Sequence, residues 1–373
     1  MVHGASVEKM FVKEVLMKYF PKTFYQDITH REFKSPGGTE IGGRIVEQGQ
    51  QFQILDITGG ALQSYTGADL SATAPTENAA TLTIDQLRGV NEQILSLNLF
   101  KSQVKDPKSS LITQITNNLK QFTESYVLGF WNKAASGNWV GTSYTTGTVA
   151  VAATTGVVTG TGTTFIAGMV GKPFQAAGHT RWYRISAFTS ATSITIIDDF
   201  DDETAAYTGG AISAGASYEI QANTALSVTG SNIYDQIVNL GILLDAGDVP
   251  AEDRYIVFPL QAKRSIMSSA KTNPTLVPAF DSNVAKGIVY KEQISGFTIY
   301  FSRFVAGNNS TGFNVIAGHK GFIGSGFGLI SEVEIIKPEN NFGMKIKCLF
   351  GCGAKVADGR RKHGATMLAT FAA

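Results

Sequence analysis

The spacing of apolar residues changes several times along the chain, and each change marks an element. Phe11, Val12, Val15, Leu16 and Tyr19 recur at helical spacing between a capping Ser6 and Pro21, which predicts a short amphipathic helix. Alone such a helix is marginal in water, so it has to dock on something. From 24 to 100 the pattern breaks into short runs, Ile45-Val46, Phe52 to Ile57, Thr81 to Ile84 and Ile94 to Leu99, divided by Pro36-Gly37-Gly38 and Thr58-Gly59-Gly60. These read as strands and turns. Between Gly59 and Ala80 the large apolar side chains are chiefly Leu62, Tyr65 and Leu70. That is too little for a core, so the region is expected to be an extended hairpin arm with a flexible tip.

Asp106-Pro107 is a strong helix start. Leu111, Ile115, Leu119, Phe122, Tyr126 and Phe130 then follow at steps of three or four, with Gly137 as the expected C′ residue, so one helix is predicted from Asp106 to about Ser136. Some thirty residues make a rod of about 45 Å. Beyond it the period becomes two. Thr148 to Ala152, Arg181 to Phe188, Ser193 to Ile197 and Ser217 to Ile220 read as strands, separated by Gly156, Gly160, Gly162, Gly178 and Gly209-Gly210. A small barrel or sandwich of about six strands is expected, with Trp182 and Tyr183 supplying bulk on opposite faces. Ile233, Ile237, Leu240 and Leu244 restore a helical face, Arg254 to Phe258 is a strand, and Pro259 opens a helix with Ile266 and Met267. Gly296 to Phe304 and Phe313 to Ala317 are strands. Glu332 to Ile336 and Met344 to Cys348 alternate as an antiparallel pair around a turn at 338–343.

Composition sharpens the splice. Residues 141–220 hold 16 Thr, 11 Gly and a single lysine, Lys172, unlike what flanks them. The chain of 373 residues is long enough for two or three domains. Only 16% of residues are charged, below the roughly 25% of ordinary soluble domains, which points to surface buried against partners. Net charge is +1, so no global field attracts nucleic acid or membranes, and no basic stripe stands out. No stretch resembles a membrane span or a secretory signal. The two cysteines, Cys348 and Cys352, exclude a disulfide framework and fit a reducing compartment. Cys348 alternates with Met344, Ile346 and Phe350, so it is expected to pack as a small hydrophobe.

The search for chemistry is largely negative. His3, His30, His179, His319 and His363 are scattered outside metal-ligand spacing, and Cys348-x-x-x-Cys352 lacks a second pair. Gly324-Ser325-Gly326-Phe327-Gly328 and Gly351-Cys352-Gly353 are Gly-rich, but neither leads from a strand into a helix as a phosphate cradle requires. No nucleophile has an identifiable partner, so neither an enzyme nor a cofactor is expected. Asp198, Asp199, Asp201, Asp202 and Glu203 form the one acidic run; a solvated loop and a weak cation site both stay open. Arg254, Arg303, Lys345 and Lys347 are charged groups suited to interface or structural roles. Trp139, Trp182 and Tyr183 could stack on sugar if they share a surface, the basis of an alternative reading as a carbohydrate-binding surface protein.

The order of these parts resembles that of tailed-phage major capsid proteins, whose fold is called Hong Kong 97-like. The local phrases that carry the likeness are Thr81 to Gln86, Tyr126 to Trp131, Asn232 to Ile237, Val249 to Tyr255, Ile294 to Phe297 and Asn314 to Lys320. The resemblance spans 1–140 and 223–373. It implies an α+β fold: an N-terminal arm and helix (1–34), an extended loop with peripheral strands (35–100), a spine helix (101–140), an axial α/β domain (223–330), and a β pair with the C-terminal segment (331–373). The all-β insert at 141–222 resembles a module of phage structural proteins, through Gly160 to Phe165, Met169 to Phe174, Arg181 to Ile185 and Ser190 to Ser193. It also implies self-assembly into hexamers and pentamers of an icosahedral head around double-stranded DNA, with scaffolding, portal and decoration partners. Assembly would take place in the host cytoplasm and the product would be a virion shell, with no membrane. The insert would face outward or touch neighbours. Phe11, Leu16, Leu62, Tyr65, Leu70, Arg254 and Arg303 are the interface residues expected on that view. An encapsulin-like compartment shares the fold and is a further alternative.

Overall fold

The computed structural model describes residues 24–30, 32–34, 40–42, 51–58, 76–95, 107–198, 206–269, 293–336 and 343–371. The helix expected around Phe11 to Tyr19 and the hairpin tip at 59–75 lie outside them. The chain divides into two compact units, one of residues 1–124 and 323–359, the other of 125–322 and 360–373.

In the first unit, Ile323–Ile336 and Gly343–Lys355 form a long antiparallel pair, with Ile335 opposite Ile346 and Glu334 opposite Lys347. Strand Gln86–Leu95 runs along the second member as an edge, and Thr29–His30 adds a short parallel strand beside Ile323. The expected pair is therefore present, longer than the alternation showed. Ile346, Cys348 and Phe350 are buried on one face, while Lys345 and Lys347 are half-buried on the other. The two Gly-rich runs face each other, Gly326 opposite Gly353 and Gly328 opposite Gly351. At Gly353 a side chain would collide with the Thr83 carbonyl oxygen, so this glycine serves close backbone approach. Ser325 Oγ donates to Thr29 Oγ1 at 2.7 Å, which donates to the Tyr25 carbonyl at 2.8 Å, so the buried hydroxyls are satisfied. Gln51–Thr58 pairs with Thr76–Thr83 in an antiparallel hairpin, the stem of the expected arm, and Glu32–Lys34 and Glu40–Gly42 extend its sheet.

The long helix runs from Pro107 to Leu128, and a tighter 3₁₀ turn continues to Lys133. At 22 residues it is about 33 Å long, shorter than the periodicity implied. Its end is fixed from outside. The Trp131 carbonyl accepts Thr366 Oγ1 at 2.6 Å, the Ala134 carbonyl accepts Trp139 Nε1 at 3.3 Å, and Ala135 N–H donates to the Arg361 carbonyl. Groups that would extend the helix are thus committed elsewhere. Gly137 does adopt a left-handed conformation, at φ +94°, in the turn that follows. The buried row is Ile115, Leu119, Thr123 and Val127, a strict step of four. Phe122, Tyr126 and Phe130 flank it half-buried; Arg88 covers the Phe122 ring at 4.4 Å, and Tyr126 meets Phe130 edge-on.

The second unit holds a mixed sheet and the insert. The sheet runs in the order 226–228, 364–371, 312–319, 254–259, 297–302, 293–294. Arg254–Pro259 is central and fully buried, parallel to Phe297–Ser302 and antiparallel to Gly312–His319. Helix Ile233–Ala246 buries the expected Ile233, Ile237, Leu240 and Leu244. Pro259 ends its strand rather than starting a helix; the helix is Ala262–Ser268, with Ile266 inward and Met267 exposed.

The insert is an eight-stranded antiparallel sheet in the order 212–216, 148–151, 157–161, 193–197, 183–190, 173–176, 218–224, 142–144. The first strand of this order passes through one residue into the seventh, and the last passes through three into the second. The sheet must therefore roll up until its edges adjoin, making a barrel. Val149, Val151, Val158, Phe174, Ile185, Ile194 and Ile220 are buried in its core with Tyr183, Tyr207 and Tyr218. Gly160, expected between strands, lies inside one, where Thr163 leaves no room for a side chain. Trp182 is only half-buried, so Tyr183 alone of that pair fills the core.

Candidate functional site

The splice itself is the most unusual geometry in the second unit. Trp139–Val140 runs parallel to the closing strand Gly364–Phe371 at Thr366 and Met367; Leu226–Val228 runs parallel to the same strand at Ala369 to Phe371. Both lie on the edge of that strand away from Gly312–His319. They are two halves of one edge strand, and the barrel is set between them. The neck is tight. A Cβ at Gly141 would lie 2.8 Å from the Ala222 Cα, and Ala222 itself has φ +47°. Gly137 N–H donates to Gln221 Oε1 at 3.0 Å, Trp139 packs with Ala222 and Leu368, and Trp131 meets Trp139 at 5.7 Å between ring centroids.

Lys172, the barrel's lone lysine, is 5% exposed, and its Nζ donates to the Asn223 carbonyl at 3.3 Å in the strand returning to the neck. Burial pulls its amine down to about 8, because the charged form loses water. Tyr183 Oη and His179 Nδ1 share a hydrogen bond at 2.6 Å, and Tyr183 meets Tyr207 at 5.1 Å. Burial holds the Tyr207 hydroxyl well above the usual phenol range, and the same cause raises Tyr218 and Tyr255.

The charged residues singled out in the sequence divide. Arg254 turns inward at 6% exposure and clamps its own protomer: Nη2 donates to Asp245 Oδ1 at 2.7 Å and to the Val249 carbonyl, and Nε donates to the Pro250 carbonyl at 2.8 Å. These contacts hold the guanidinium against its own chain. Arg303 is exposed, its guanidinium 4.7 Å from the Phe304 ring centre. Phe11, Leu16, Leu62, Tyr65 and Leu70 lie outside the described residues. Asp198 faces internal partners, accepting from Thr208 N–H and Oγ1 and pairing with Arg181 at 3.5 Å. Asp199, Asp201, Asp202 and Glu203 fall outside the described set. Among the described residues no three His, Cys, Asp or Glu gather as a metal site. Sequence scatter hid one pairing: His319 and His363 meet at 5.8 Å between ring centroids. Cys348 and Cys352 are free and buried; burial pushes both thiols up, Cys352 to about 12 with the Asp85 charge adding to it. Trp139 and Tyr183 are buried while Trp182 is half-exposed, so the three offer no common platform for sugar. Among the described residues no helix is long and apolar enough to cross a membrane.

No protein-family model matches the sequence, and no curated protein does. Solved structures do. A chain of Mycobacterium phage Che8 superposes with a TM-score of 0.54 at 13% identity, covering 93% of this chain and 91% of that one. A chain from the capsid of Cyanophage P-SCSP1u superposes with a TM-score of 0.50 at 14% identity, covering 95% and 94%. The chain thus has the phage capsid-subunit fold, the Hong Kong 97-like fold expected from the order of its parts.

Proposed function

We propose that the chain is a major capsid protein, a shell subunit that self-assembles into the icosahedral head of a tailed phage around double-stranded DNA. The carrying observation is the superposition over more than nine-tenths of both chains on a solved phage capsid. The low charge, 16% of residues, supports it, since permanent interfaces are large and poor in charge. The hairpin whose stem is Gln51–Thr58 and Thr76–Thr83 reaches a neighbouring subunit, and the barrel is an accessory module at the shell surface. The role is structural rather than enzymatic. Scaffolding, portal and decoration proteins are the partners such a shell requires, and the virion is its location.

Electron microscopy of the overexpressed chain tests the reading. Closed hollow particles are the expected product. Deleting 60–79 is expected to stop closure, and normal shells from that variant would sink the role given to the hairpin. Nucleic acid inside native particles separates a phage head from an enzyme-holding compartment.

A further inference from the structure

The barrel exposes an apolar patch that its fold does not need. The loop from Phe165 to Gly171 is tied alongside strand Tyr183–Ser190 at both ends, Phe165 N–H to the Ala191 carbonyl at 2.9 Å and Gly171 N–H to the Ile185 carbonyl at 2.8 Å. Phe188 falls midway between those ties. Ile166 at 52% exposure, Val170 at 39% and Phe188 at 36% therefore share one surface, while Met169 between them turns into the core. Three of the exposed large hydrophobics among the described residues thus sit together on a module of some eighty residues, and grouped apolar exposure marks contact surfaces where scattered exposure does not.

Charge and position choose the occupant. Between 142 and 224 the cations are Lys172, Arg181 and Arg184, and the first and last are buried. The anions are Asp198, Asp199, Asp201, Asp202, Glu203 and Glu219. Arg181, the exposed cation, pairs with Asp198 and precedes the strand that carries Phe188. The patch itself is rimmed by exposed Ala167, Gly168, Ala187, Thr189 and Ser190, none of them charged. At a patch without charge, like can meet like without electrostatic cost. The patch also lies low on the barrel: a Cβ at Gly171 would be 3.6 Å from Asn132 Nδ2 in the 3₁₀ turn of the host. Whatever covers it must lie beside the host's own body, as a neighbouring subunit does.

We propose that Ile166, Val170 and Phe188 make a two-fold contact with the same patch on a second copy of this chain. An isologous interface of this kind needs a self-complementary, uncharged surface. The inference rests on the shell reading, which would bring many copies of the patch side by side.

The test is made on the full chain. The native thiols Cys348 and Cys352 are buried, so Ile166→Cys adds the one reactive cysteine among the described residues. Treatment with a short bis-maleimide is expected to convert most of the chain to covalent dimer, in particles and in concentrated unassembled protein alike. The double variant V170E/F188E, which sets like charges face to face, is expected to disperse at least tenfold more readily on dilution than the parent, with unchanged circular dichroism. Monomer only after crosslinking, with dispersal unchanged in the double variant, overturns the proposal. Electron microscopy of the parent decides the shell reading separately, because crosslinking is read whether or not particles close.

Discussion

The barrel and the sheet that carries it are built on opposite plans. Every barrel strand pairs with others from 142–224, and its core residues come from that segment alone. The host sheet is assembled from afar: Trp139 pairs with Thr366, Val228 with Phe371, and Arg254 with both Phe297 and His319. Pairings of short span cost less loop-closure entropy than those of long span. The barrel is therefore expected to form without the host, and the host sheet to wait for the last strand of the chain.

The largest effect should come from removing that strand. A chain lacking 364–373 is expected to lose the host's cooperative unfolding altogether, while the 142–224 fragment alone gives a cooperative thermal transition by circular dichroism. Loss of both together would erase the contrast. Next come single core truncations. Phe174→Ala in the barrel and Ile256→Ala in the host strand, both fully buried, are each expected to cost about 2–5 kcal/mol. Calorimetry should show each lowering a different transition. One shared shift would mean the two are thermodynamically a single body.

Smaller effects probe the join. Gly141→Val drives a side chain into Ala222 and is expected to cost about 1–3 kcal/mol, read by urea titration; a neutral result would show that the neck yields. Arg254→Ala strands the Val249 and Pro250 carbonyls at about 2 kcal/mol, in the host transition only. The mildest test is pH. The Lys172 amine titrates near 8 when folded and about 10.4 when unfolded. Between those values the unfolded chain binds more protons, so barrel stability should rise with pH across that window. The burial penalty is complete below it and gone above it. Lys172→Met should flatten the slope in the barrel's melting temperature; an unchanged slope would acquit the lysine.

Much of this architecture could be read locally. Ile233, Ile237, Leu240 and Leu244 announced their helix because one amphipathic face is a short-range pattern. Ile346, Cys348 and Phe350 showed their buried side because alternation survives in a half-covered strand. The split edge strand could not be read: Trp139–Val140 and Leu226–Val228 are two and three residues long and exist only because Gly364–Phe371 lies beside them. The helix end was hidden for the same reason, since Thr366 and Arg361 supply the competing hydrogen bonds. In the barrel, Ile212–Ala216 reads Ile-Ser-Ala-Gly-Ala, too small and too flexible to signal a strand. The apolar patch was invisible because Ile166, Val170 and Phe188 look like core residues until the fold shows which way they face.

One edge strand interrupted between Val140 and Leu226 has a consequence for how such a chain can change over generations. Both cut ends lie in register on one ruler, separated only by Leu368. Any module whose two termini emerge side by side can occupy that socket without disturbing the sheet behind it, and an empty socket needs only a short turn. Exchange of the inserted module at that single address would leave the sheet behind it unchanged.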